Sequence, residues 1–92
     1  MREDHKKKIL ARLKSIEGHV RGVERMVEED QYCIDILKQT LAVQRALDKV
    51  NILILGNHLD TCVTTAIKAD NPDERERVIA ELVDIFETSR KL

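Results

Sequence analysis

Residues 32–69, YCIDILKQTLAVQRALDKVNILILGNHLDTCVTTAIKA, decide the fold. The stretch holds no proline and only one glycine, Gly56, and apolar residues recur along all of it. Without a breaker or a turn cluster it reads as one continuous helix, well above the usual length. Val50 to Leu55 is rich in β-branched and aliphatic residues and mimics a strand, but the helical period continues on both sides. A 92-residue chain has little else with which to cover so long a helix. Antiparallel pairing with a second copy covers it.

The flanks are also helical. Ile9, Leu13, Ile16, Val20, Val23 and Val27 recur three and four apart, which predicts a first helix over 5–29 with one apolar stripe. Gly18 and Gly22 each cost up to about 1 kcal/mol in a helix and read as room for a closely packed neighbour. Asp30, after Glu28 and Glu29, reads as the N-cap of the long helix. Asn71-Pro72-Asp73-Glu74 is a restart: a capping side chain, a proline suited to the first helical position and two acids for the N-terminal dipole. A third helix over 73–90 then presents Val78, Ile79, Leu82, Val83, Ile85 and Phe86 on its apolar side. The expectation is an all-α protein of three helices with a long central one, a single domain over 1–92 and an antiparallel helical-bundle dimer.

Composition narrows the function. Charged residues make 36% and hydrophobic ones 42%, and Tyr32 and Phe86 are the two aromatics, too few for stacking on single-stranded nucleic acid. The longest aliphatic run, Ile52 to Leu55, falls far short of the ~20 residues of a membrane span. No apolar segment follows the basic N-terminus, so no signal peptide is expected and the protein is placed in the cytoplasm. There, two cysteines favour thiolate chemistry over a disulfide. A thiol oxidoreductase would want a second thiol near the first in the same chain, and no such pair exists, so no enzyme is expected. The net charge of −1 hides an asymmetry: residues 1–25 carry eight Lys/Arg against four acids. A basic end on a near-neutral chain suits a polyanion, although a solvated helix face reads equally well.

His58 and Cys62 lie one turn apart on the long helix, a half-site for a soft metal. At 100° per residue, His58 falls about 20° short of seven turns from Cys33, and Cys62 about 20° past eight. The three donors share a face, yet Cys33 and His58 are roughly 37 Å apart along the axis. An antiparallel two-fold pair with its axis near Ala46 and Leu47 sets Cys33 of one copy beside His58 and Cys62 of the other, giving two identical sites. Thr40, Gln44, Leu47, Asn51, Ile54 and Leu55 share that face. Singly, each donor reads more simply as a small buried thiol or a structural histidine. Together, two thiolates and one imidazole form a trigonal set suited to copper(I), whereas closed structural zinc wants four ligands.

Arg12-Leu13-Lys14-Ser15-Ile16-Glu17-Gly18-His19-Val20-Arg21-Gly22 resembles the opening signature of the CsoR/RcnR family of bacterial metal-sensing repressors. Arg25-Met26, Tyr32-Cys33, Asp35 to Gln39, Ala46-Leu47 and His58 to Cys62 continue the resemblance over nearly the whole chain. It implies an all-helical dimer, assembled as a dimer of dimers, that represses an operator until its inducer binds. The Cys33, His58, Cys62 pattern is similar to the copper(I) branch, with one copper per protomer at the dimer interface. Persulfide sensors resemble this chain at both cysteines but lack the histidine. Nickel and cobalt sensors add N-terminal donors, for which His5 is a candidate about a turn from the usual position. His19 stands where glutamine is commoner.

The resemblance also places Tyr32 and Glu81 around the ligands, where they would hold the second ring nitrogen of His58 and carry the signal outward. Packing at a helix start (Tyr32) and a solvated helix acid (Glu81) are the simpler readings. Arg12, Lys14 and Arg21 resemble the family's basic positions for double-stranded operator DNA, with Lys6 to Lys8 as electrostatic support and Arg45 and Lys49 added on the long helix. No helix-turn-helix pattern is present, so no recognition helix dedicated to the major groove is expected. Outside the family, the rival reading is a structural helical dimer or partner-binding module with incidental thiols.

Overall fold

A computed structural model describes residues 1–90, and for Arg90 the backbone alone. The elements are α1 (Glu3–Glu28), α2 (Cys33–His58), a π-helical turn (Leu59–Val63), α3 (Thr64–Lys68) and α4 (Pro72–Arg90). No strand occurs among the described residues, and no helix among them is long and apolar enough to cross a membrane. The fold is all-α. The long helix expected over 32–69 runs from Cys33 to Lys68 without a break in helical structure, but its last third is widened by the π turn. The contacts divide the chain into two compact units, Met1–Asn57 and a second beginning at His58.

In the first unit α1 and α2 form an antiparallel hairpin. His19 meets Gln39 through Nε2 and Oε1 at 2.8 Å, and the Arg2 N–H donates to Asn57 Oδ1 at 3.3 Å. Between these ends Ile9, Ile16 and Val50 are buried, with Leu13, Val43, Ala46 and Leu53 packed against them. The stripe on α1 therefore faces α2 through its first half. Val20 and Val27, lower on it, stay exposed. A Cβ at Gly18 would meet nothing within 4 Å, and one at Gly22 only the Arg25 guanidinium. The close neighbour expected at these glycines is thus not supplied among the described residues.

Asp30 does not cap α2. It adopts the left-handed conformation (φ 53°), with its N–H bonded to Val27 O and the Gln31 N–H to Met26 O. Those two bonds form the Schellman closure of α1, in which the left-handed position favours Gly but tolerates a short polar residue. The start of α2 is carried instead by the carbonyl of Tyr32, which accepts the N–H groups of Asp35 and Ile36.

In the second unit Val63, Ala66 and Val78 are buried. Asn71 Oδ1 accepts the N–H groups of Asp73 at 3.1 Å and Glu74 at 3.3 Å, so α4 starts with the expected cap and Pro72 at its first position. Its apolar side is mostly uncovered in the single chain: Val78 is 3% exposed, but Ile79, Val83, Ile85 and Phe86 are all more than half exposed.

Candidate metal centre and nucleic-acid interface

Backbone geometry, more than burial, positions the donors. His58 is the last residue of α2 and is half-buried, while Cys62 lies in the π turn with an exposed, free thiol. The two share a hollow of about 600 Å³, whose wall also includes Thr65, Arg77, Val78 and Glu81. The Thr61 hydroxyl donates to Cys62 Sγ at 3.6 Å. Thiolate and imidazole on one wall suit a soft or borderline metal.

Cys33 begins α2, the helix that His58 ends, and its thiol is exposed. Among the described residues, no three His, Cys, Asp or Glu side chains come together to hold a metal within the chain. One chain thus brings together two of the three expected donors and leaves the third at the far end of a 26-residue helix.

Glu81 lines the hollow and accepts a hydrogen bond from Arg77 Nη1 at 2.6 Å. Arg77 is also bound by Glu74, to which its Nε donates at 3.4 Å and its Nη2 makes a second contact. The hydrogen bonds and charge of Arg77 hold the Glu74 carboxyl below its ordinary value of 4.5, and Glu74 in turn holds the guanidinium more firmly protonated. Arg77 went unnoticed in the sequence although Glu74 and Glu81 stand three before and four after it, the spacing at which helix side chains meet. Tyr32 is 70% exposed.

Arg12, Lys14 and Arg21 on α1 and Arg45 and Lys49 on α2 are all exposed. None of the five is in an ion pair among the described residues. Arg12 and Lys8 flank a shallower hollow of about 520 Å³, closed by Ser15 and, from α2, Leu53. The hairpin therefore leaves its cationic groups open to an anionic partner.

The sequence profile described as metal-sensitive transcriptional repressor matches residues 5–88, and the chain belongs to that family. The copper-sensing transcriptional repressor CsoR of Bacillus subtilis is 46% identical over 86 residues, which cover 94% of this chain and 82% of that protein. The protein of the same name from Mycobacterium tuberculosis is 43% identical across 86% of this chain, which spans only 64% of that relative's length. Among solved structures, the copper-sensing repressor CsoR with Cu(I) from Geobacillus thermodenitrificans is similar with a TM-score of 0.87 at 40% identity, covering 98% of this chain and 91% of that one. The nickel-responsive regulator InrS is similar with a TM-score of 0.75 at 41% identity, over 87% and 90%. Identity alone therefore does not choose the metal; the donor set must.

Proposed function

We propose that this protein is a copper(I)-responsive, DNA-binding transcriptional repressor, released from its operator when the metal is bound by Cys33 of one protomer and His58 and Cys62 of another. The observation that carries the reading is the placement of His58 and Cys62 on one hollow, with the remaining thiol at the opposite end of α2. Each chain would then lack one donor, which an antiparallel partner would supply. The exposed Leu37, Leu41, Leu47 and Ile54 of α2 support such a pair, and a dimer of dimers follows the family resemblance. The unbroken family match over 5–88 supports one functional domain across 1–92. The protein would work in the cytoplasm, with its DNA, as a regulator and not as an enzyme.

The bound metal would supply a positive centre tying two chains together; the rest falls to the protein. Cys33 and Cys62 provide thiolates and His58 a neutral ring nitrogen. Tyr32 and Glu81 are the partners proposed for the second ring nitrogen, which fixes the tautomer and orientation of a ligating histidine. Arg12, Lys14 and Arg21, with Arg45 and Lys49, bind operator phosphates. By linkage, the inducer must bind the weakly DNA-binding form more tightly, and DNA weakens inducer binding by the same factor.

Anaerobic copper(I) titration against a competing chelator tests the reading. The expected result is one tight equivalent per protomer, abolished by Cys33→Ala or His58→Ala. A nickel-responsive repressor is the second reading, favoured by the likeness to InrS. Weak copper(I) binding beside tight nickel binding would establish it instead.

A further inference from the structure

We infer that Thr64 is a positioning residue that holds the π turn and so sets where the Cys62 thiol sits relative to His58 on their shared hollow; this rests on reading that pair as metal donors. In an α-helix each carbonyl accepts the N–H four residues on, so the carbonyl of Leu59 would take the N–H of Val63. Here it takes the N–H of Thr64, five residues on, and that N–H is shared with the carbonyl of Thr61. A divided N–H binds each acceptor less well than an undivided one. The deficit at Leu59 is met by the Thr64 hydroxyl, which donates to the same carbonyl at 2.5 Å. A threonine hydroxyl in an α-helix ordinarily turns back three or four residues. This one spans five, so the bond belongs to the π register, and losing it costs that register more than the α alternative.

The register matters because of where the donors sit. His58 is the last α-helical residue and Cys62 is the fourth of the π turn. Four α-helical steps overshoot a full turn by about 40°. The wider π turn advances less per residue, which brings the sulfur more nearly in line with the imidazole. The contact from the Thr61 hydroxyl to Cys62 Sγ lies within the same turn. Single π turns are often found at functional sites. In this one a side-chain hydroxyl bridges the widened ring.

The test compares Thr64→Val, which keeps the shape and loses the hydroxyl, with Thr64→Ser, which keeps the hydroxyl. Both are made in the full chain and titrated anaerobically with copper(I) against a chelator. Thr64→Val should lose affinity by about 10–100-fold, the scale for removing a group that orients a ligand, and Thr64→Ser should recover most of it. In metal-free protein, the alkylation rate of Cys62, resolved from Cys33 by mass, should change in Thr64→Val and not in Thr64→Ser. Helical content should stay at the parent level; should Thr64→Val lose it, Thr64→Ala makes the same comparison. Parent-like copper affinity and alkylation in the hydroxyl-free variant, with Cys62→Ala inactive for copper, would overturn the role of Thr64 and leave the site standing. Parent-like affinity in Cys62→Ala would overturn the donor pair, and the role of Thr64 with it.

Discussion

The hairpin of Met1–Asn57 and the segment from His58 onward are built for opposite purposes. The hairpin buries Ile9, Ile16 and Val50 between two long helices and turns its cations outward. Among its described residues the second unit buries Val63, Ala66 and Val78, all small or β-branched, and keeps an imidazole, a thiol, a guanidinium and two carboxylates around a hollow. One unit gains order from apolar packing, the other from directional bonds: the Asn71 cap, the Arg77 ion pairs and the hydroxyl of Thr64. Regular packing suits a surface that must present charge in fixed register. Directional bonds fix the polar groups around the hollow one by one.

Substitutions that strike one side and spare the other should sharpen this contrast. Ile16→Ala empties part of the hairpin core and should lower stability by about 2–5 kcal/mol in denaturant unfolding. The copper stoichiometry of the folded fraction should be unchanged; a loss of stoichiometry would mean the hairpin is not separable from the site. Arg12→Ala should weaken operator binding and flatten its dependence on salt, by about 0.9 in log–log slope for each phosphate contact removed. Its copper affinity without DNA should match the parent.

Glu81→Ala should bind copper(I) but lose about five-fold or more of the metal-linked drop in operator affinity. A variant still fully released by copper would dismiss Glu81 as a relay. The smallest effect belongs to Arg77→Met, since exposed ion pairs contribute little. The folded state depresses the Glu74 carboxyl, so the stabilisation from Arg77 is present above the ordinary carboxylate range and fades as pH falls through the lowered value. A thermal melt series should therefore show parent and Arg77→Met converging in acid and separating near neutrality.

Local signals in the sequence carried most of the fold. The apolar period of α1 and α2, and Asn71 with Pro72, predict elements that the structure places within a residue or two. Asp30 misled because one short carboxylate can serve either as an N-cap or in a left-handed closure, and only the bonds to Met26 and Val27 distinguish the two. The π turn left no mark, since His58 to Val63 continues the helical period and Thr64 is an ordinary residue at an ordinary spacing. His58 and Cys62 were legible as a pair because four residues on a helix is a short-range relation. Cys33 was legible only in its angle on the helix, because the pairing of two chains proposed to bring it to His58 and Cys62 leaves no local signal. Ile52 and Phe86 stay exposed in the single chain.

The backbone N–H of Arg2 is held by the buried amide of Asn57, the residue immediately before His58. The first residues of α1 are thus fastened to the C-terminal end of α2. A purification tag or carrier protein attached at Met1 would sit one residue from that hydrogen bond and crowd it. Stability measured on such a fusion would describe the attachment as well as the hairpin, so a tag is better cleaved before unfolding experiments.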